Sequence, residues 1–298
     1  LQQYDPRNEH LLIYIDGELY PREEAKISVF DSAVQGGDAV WEGIRVYDGR
    51  IFSLDEHLER LQNSAHAMAF REVPSNEEIK AALFKTLQAN GMRDETHIRL
   101  TLTRGKKITS GMDPRLNQFG PTLIIVAEWK PPVYPPEITL VTSSVRRNSA
   151  MSLDSKIHHN NLINNILAKI EANHAGADAG LMLDKDGFVS EANGVNVFCI
   201  RKGVVYTPHA DSCLPGITRQ HVINLCREQG IPIVEKNLSL TEFYTADQVF
   251  TTGTMGELTK VAEIDGRAIR SRMEEDLLEQ IKGYFRAMTR SGGEPLPF

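Results

Sequence analysis

Apolar residues along this chain recur mainly with a period of two, in short runs closed by glycine-containing turns. Residues 11–15 (LLIYI) predict a strand closed by Asp16-Gly17, a type I′ hairpin signal. Ile44–Tyr47, Asp48-Gly49 and Arg50–Phe52 predict a second hairpin. Further strands are expected at 97–104, 122–128, 137–143, 179–183, 195–200, 204–206, 231–235 and 248–252, with turns at Asp186-Gly187, Lys202-Gly203 and Asp265-Gly266.

The helical period appears in fewer places. Ser53 with Glu56 reads as a capping box for a helix that aligns Leu54, Leu58, Leu61, Ala65 and Met68. A helix over 76–90 stops at Gly91. The helix after Lys156 lines up Leu162, Ile163, Ile166, Leu167 and Ile170 on one face. Others are expected at 217–229, after the Ser239/Glu242 box, and at 272–289. Hairpins outnumber crossovers, which makes the fold class α+β.

Four of the 14 prolines fall in the seven residues Lys130–Pro136, a stiff segment unsuited to a central strand. Together with a length of 298 residues, it divides the chain into a small domain at 1–130, a linker at 131–136 and a larger domain at 137–298. A net charge of −7 argues against nucleic acid or an anionic membrane as partner. The three cysteines, Cys199, Cys213 and Cys226, lack CxxC spacing and suit a reducing, cytoplasmic setting. No apolar run approaches the ~20 residues that span a bilayer. The opening LQQYDPRNEH is polar, unlike a signal peptide.

Candidate chemistry centres on Lys156. Downstream of it come Ser190, Glu191, Ala192 and Asn193 at a strand, a Pro-Gly-Ile-Thr-Arg turn at 215–219, and a Thr-Gly-Thr turn at 252–254. Each alone is an ordinary surface or turn feature. In one order they match what pyridoxal phosphate demands. Its aldehyde needs an amine, here Lys156. Its ring nitrogen needs a carboxylate, here Glu191 followed by small Ala192, Asn193 and Gly194. Its phosphate suits the helix start Gly216-Ile217-Thr218, the Thr254 hydroxyl and the Arg60 guanidinium.

WEGIRVYDG with HLERL, the lysine at 156, SEANGVNVF, LPGITR and TTGTMGEL together resemble the fold-type IV pyridoxal-phosphate enzymes, the class IV aminotransferases, over nearly the whole chain. The resemblance implies a two-domain fold with the cofactor at the domain interface, and a homodimer or larger assembly. It implies Lys156 as Schiff-base lysine and proton shuttle, Glu191 as ring-nitrogen partner, and Arg60, Ile217, Thr218 and Thr254 as phosphate grip. The pattern looks most like branched-chain aminotransferases, acting on a branched-chain L-amino acid and 2-oxoglutarate. In that subgroup Arg99 would lie near the substrate, Thr254 and Met255 would offer backbone N–H groups to its carboxylate, and Trp41 would line the side-chain pocket.

Three tyrosines of the branched-chain pattern are absent: Asn161, His97 and the stretch Gln35-Gly36-Gly37 stand in their places. A more polar, roomier pocket would follow. D-amino acid and (R)-amine transaminases and aminodeoxychorismate lyases share the fold and remain alternatives. A non-catalytic dimeric module is a more distant one. The pair His158-His159 has no acid or cysteine at metal spacing on a helix, so no metal site is expected. No GxSxG, HExxH, Walker A or GxGxxG motif is present, and Leu153 stands where a Ser-x-x-Lys serine would.

Overall fold

The computed structural model describes residues 4–131, 134–271, 274 and 276–298. Pro132 and Val133 of the proline-rich stretch, and residues 272, 273 and 275 at the expected start of the last helix, lie outside the described residues. The chain forms two compact units. One comprises Leu1–Pro131, Ile157–Asn161 and Thr289–Phe298; the other comprises Pro132–Lys156 and Leu162–Met288.

In the first unit, β1 (Leu12–Ile15), β2 (Glu18–Pro21), α1 (Ser32–Gly36), β3 (Ala39–Tyr47), β4 (Arg50–Ile51), α2 (Leu54–Ala67), α3 (Asn76–Ala89), β5 (Thr96–Thr103) and β6 (Thr122–Trp129) follow in order. The second unit continues with β7 (Glu137–Thr142), α4 (Ile163–His174), β8 (Ala179–Leu183), β9 (Val189–Ala192), β10 (Asn196–Arg201), β11 (Val204–Thr207), α5 (Ile217–Glu228), β12 (Ile233–Glu235), α6 (Leu240–Tyr244), β13 (Gln248–Gly253), β14 (Glu257–Ile264) and β15 (Arg267–Ala268). The last elements of the chain are α7 (Leu277–Ser291) and β16 (Glu294–Pro295).

The first sheet runs β16-β4-β3-β5-β6-β1-β2 and its pairings are antiparallel. Strand alternation sends Val40, Ile44 and Val46 to the same core as Ile98, Leu100 and Leu102. Leu54, Leu58, Leu61 and Ala65 of α2 and Ile79, Leu83 and Leu87 of α3 fill that core. Glu42 has core parity yet is a carboxylate with no solvent exposure. The register places Trp41, Gly43 and Arg45 against Thr101, Arg99 and His97 on the opposite face.

The second sheet runs β12-β11-β10-β13-β14-β7-β8-β9, with β15 on β14. Three pairings are parallel: β11–β12, β14–β7 and β7–β8. Helices and hairpin sheets coexist in both units, so the fold is α+β, as the pattern of turns implies.

Four two-residue hairpins, at Asp16-Gly17, Asp48-Gly49, Lys202-Gly203 and Asp265-Gly266, carry positive φ at both central residues. This is the type I′ geometry that matches strand twist. Asp186-Gly187 instead sits in a longer loop, where the Asp184 carboxylate accepts from the N–H groups of Asp186 and Phe188. The capping box expected at Ser53 and Glu56 does not form. Ser53 takes a left-handed conformation (φ 52°) with no side-chain cap bond. A full box forms instead between Ser75 and Glu78 at the head of α3.

Helix α4 departs most from expectation. Its stripe Ile163, Ile166, Leu167 and Ile170 is exposed, while Ala168 and Ala172 are buried. Small residues let α4 approach β8 closely, so its core face is alanine and its leucine–isoleucine face points outward. Among the described residues no helix is long and apolar enough to cross a membrane.

Candidate functional site

In the first unit a polar network forms around Glu42. Arg60, one turn beyond His57 on α2, grips its carboxylate with Nε at 2.8 Å and a terminal nitrogen at 2.6 Å. Nδ1 of His57 lies 2.7 Å and Nδ1 of His158 lies 3.1 Å from the same carboxylate. Burial alone would push the Glu42 carboxyl up, but its cation and hydrogen-bond partners hold it well below the usual range. His158 is itself lowered to about 4, first by burial, so it is neutral at pH 7. Arg60 is therefore the cation that keeps Glu42 ionised, and both histidines donate from Nδ1, because an ionised carboxylate only accepts.

The residues that follow Lys156 dock on the edge of β3. His159 bridges Val40, Trp41 N–H donates to the His158 carbonyl, and Asn160 N–H donates to the Ala39 carbonyl. The His158 N–H donates to the Ser64 hydroxyl at 3.1 Å. The two histidines thus lie in an extended segment rather than on the helix that the sequence suggests. The His158 ring packs on Trp41 with centroids 4.1 Å apart. Trp41 also carries the Arg99 guanidinium 3.4 Å from a ring centroid, and Arg99 donates to the Asn160 side-chain carbonyl at 2.7 Å. Burial lowers Arg99 to about 10. His97 falls to about 3, through burial and then the positive charges of Lys130, Arg45 and Arg99. Gly43 admits this crowd: a Cβ there would meet His97 Nε2 at 3.1 Å and Trp41 at 3.5 Å.

In the second unit Lys156 is exposed. Its backbone N–H donates to the Asp154 carboxylate at 3.0 Å, and among the described residues its Nζ has no partner. Glu191, on the buried strand β9, is held at Oε1 by Arg147 Nε (2.5 Å) and at Oε2 by Asn196 Nδ2 (3.2 Å). Burial raises the Glu191 carboxyl and the Arg147 guanidinium opposes that rise. Asn196 Nδ2 also donates to the Leu214 carbonyl at 2.9 Å. Its Oδ1 fills the space that a Cβ on Gly216 would need, which demands glycine at the N-cap of α5. No side chain caps that helix, so the N–H groups of Ile217 and its successors stay open to an anion. Thr218 is buried in the first turn.

Thr254 and Met255 form the half-exposed turn between β13 and β14. Among the described residues their N–H groups meet no protein acceptor. Asn193 differs in kind from these residues. Its side-chain carbonyl accepts from Gly180 N–H and its backbone carbonyl accepts from Asn165, so it locks the β8–β9 turn.

The sequence reading missed Arg147, Asn196 and Glu42. Glu42 left a signal, an acid at core parity between Val40 and Ile44. Asn196 sits inside the quoted motif SEANGVNVF. Arg147 left none, because its partner lies 44 residues away.

Residues 39–264 match the family described as amino-transferase class IV. The chain belongs to that family. It is 57% identical over 294 residues to branched-chain-amino-acid aminotransferase-like protein 2 of Arabidopsis thaliana, covering 98% of this chain and 53% of the relative. The chain thus spans about half the length of its plant relatives. A putative branched-chain-amino-acid aminotransferase of Methanocaldococcus jannaschii is 41% identical over 284 residues, 94% of this chain and 97% of that one. A solved bacterial-type structure, a branched-chain amino acid aminotransferase complexed with N-(5'-phosphopyridoxyl)-L-glutamate, superposes with a TM-score of 0.87 at 34% identity, over 94% of each chain. The branched-chain aminotransferase of the archaeon Thermoproteus uzoniensis, solved with norvaline, superposes with a TM-score of 0.86 at 30% identity, over 94% of this chain and 95% of that one.

Proposed function

We propose that this chain is a pyridoxal-phosphate-dependent aminotransferase that exchanges the amino group of a branched-chain L-amino acid with 2-oxoglutarate. The observation that carries this is Glu191, a buried carboxylate held by Arg147 and tied through Asn196 to the open start of α5. A ring nitrogen and a phosphate on one rigid ligand need this combination. The unpartnered amine of Lys156 in the same unit adds the group an aldehyde requires. The names of the relatives support the branched-chain substrate.

When bound, pyridoxal phosphate supplies an electron sink for a carbanion at the substrate Cα. Glu191 keeps the ring nitrogen protonated. The N–H groups at Gly216, Ile217 and Thr218, with Arg60 and Thr254, hold the phosphate. Two of the five Arg60 N–H groups serve Glu42, which fixes the plane of the guanidinium. Lys156 anchors the aldehyde and, once a substrate amine has displaced it, removes and returns the proton at Cα. Thr254 and Met255 N–H groups receive the substrate carboxylate, and Trp41 and Arg99 border its side chain.

Mixing the holoprotein with L-leucine should shift the visible absorbance of the cofactor, and added 2-oxoglutarate should restore it. Lys156→Ala should abolish the starting band; a surviving band would show that another group holds the aldehyde. His97 and Asn161, standing where branched-chain relatives carry tyrosine, favour one second reading, a D-amino acid or (R)-amine transaminase. D-alanine or (R)-phenylethylamine would then drive the half-reaction and L-leucine would not.

The working form is a homodimer or larger assembly of this chain. The exposed stripe Ile163, Ile166, Leu167 and Ile170 on α4 is the kind of surface a second copy covers. Its compartment is cytoplasmic, in keeping with three buried, unpaired cysteines.

A further inference from the structure

Arg147 has no assigned part in the chemistry above, yet it is as buried as Glu191. Both side chains are 6% exposed. Its backbone N–H donates to the Leu183 carbonyl at 2.8 Å, which pins the segment to the end of β8. Its guanidinium is held on a second side by the Asn164 carbonyl, 3.1 Å from a terminal nitrogen. Among the described residues, Glu191 is the only carboxylate with which it pairs. Asn164 is fixed in turn, because its Nδ2 donates to the Arg146 carbonyl at 2.8 Å.

We propose that Arg147 is a positioning residue, acting through Glu191: it holds that carboxylate ionised and oriented so that Oε2 can accept the N–H of the cofactor ring. The proposal rests on the cofactor reading given above. A carboxylate out of water and without a cation takes up a proton and becomes neutral. A neutral acid would have to donate to the ring nitrogen or leave it unprotonated. An arginine cannot lose its proton, so it is a permanent counter-charge where a lysine would itself neutralise on burial.

The contacts leave capacity for the ring. An ionised carboxylate has about four acceptor sites. Arg147 takes one on Oε1 and Asn196 takes one on Oε2. Asn196 cannot turn its carbonyl toward Glu191, because the same Nδ2 serves the Leu214 carbonyl and Oδ1 faces Gly216. The carboxylate is thus fixed by a charge on one oxygen and a neutral amide on the other. Burial lifts the Glu191 carboxyl, so removing the charge leaves nothing comparable to oppose protonation.

The test compares two ligands that differ at one atom, pyridoxal phosphate and its 1-deaza analogue with CH in place of the ring nitrogen. Both keep the aldehyde and the phosphate. Affinities are measured by quenching of tryptophan fluorescence in cofactor-depleted full-length protein. Wild type should prefer pyridoxal phosphate by about tenfold or more, the range of a charge-assisted hydrogen bond. In Arg147→Gln that preference should vanish, with affinity for the analogue nearly unchanged. Arg147→Lys should keep part of the preference, and carries the test if the glutamine variant does not fold. Equal loss for both ligands, or an intact preference, would assign Arg147 a purely structural role. A wild type that binds neither ligand would overturn the cofactor reading itself, and this proposal with it.

Discussion

Asn196 and Gly216 compete for one space, since Oδ1 of Asn196 lies where a Cβ on residue 216 would have to go. Asn196 cannot step aside without giving up Glu191 and the Leu214 carbonyl. Gly216→Ala should therefore destabilise the chain by about 1–3 kcal/mol, the usual cost of overpacking. It should also weaken pyridoxal-phosphate binding, because the first turn of α5 must shift. Thermal denaturation and cofactor titration check both effects; an alanine variant with unchanged melting would show that the helix start gives way easily.

Glu42 is ionised and unexposed, and its main counter-charge is Arg60. Glu42→Gln keeps the shape but leaves a largely buried guanidinium without its carboxylate. A loss of roughly 3–5 kcal/mol is expected. The double variant Glu42→Gln, Arg60→Met should lose less than the two single losses summed, since no charge is then left unpaired. Urea denaturation of the four proteins measures this coupling, and strict additivity would refute it.

Acid sensitivity follows from the two lowered histidines. His97 titrates at about 3 and His158 at about 4 in the folded chain, against 6.5 when exposed. Below 6.5 the unfolded chain binds more protons than the folded one, so stability is full above that pH and declines as pH falls toward 4. Glu42, depressed below 4.5, adds its own loss only below that value. His97→Phe fills the same space without titrating, so its melting temperature should fall less steeply between pH 6.5 and 4.5 than that of wild type. Parallel slopes would mean that His97 is not the group responsible.

A charge placed in the exposed stripe of α4 should disrupt self-association. Ile166 is 54% exposed, so aspartate there costs little in a lone chain. Sedimentation should show Ile166→Asp as a monomer and wild type as a dimer or larger. A variant that keeps the wild-type mass would place the interface elsewhere.

Much of this molecule is local and was readable from residue order. The four I′ hairpins follow from Asp-Gly and Lys-Gly pairs, because a backbone needing positive φ twice selects such residues. Gly216-Ile217-Thr218 announces an open helix start, and Lys156, Glu191 and Thr254 stand in a recognisable order. The Ser53 box failed because the preceding hairpin sets the backbone of Ser53 in a left-handed turn, which the spacing of Ser and Glu cannot reveal. The α4 stripe was legible as a stripe, but its direction was not. Periodicity says which residues share a face, and only the small residues meeting β8 decide which face is inside.

Tertiary structure alone joined Arg147 to Glu191 across 44 positions and Glu42 to His158 across 116. A buried ion needs a partner, but no local pattern names one, since the partner is whatever the returning chain brings within about 3 Å. The residues for the chemistry were thus determined by sequence. Their state of charge, and the fixed orientation of Glu191 and Arg60, were decided by residues that meet only when the sheets form.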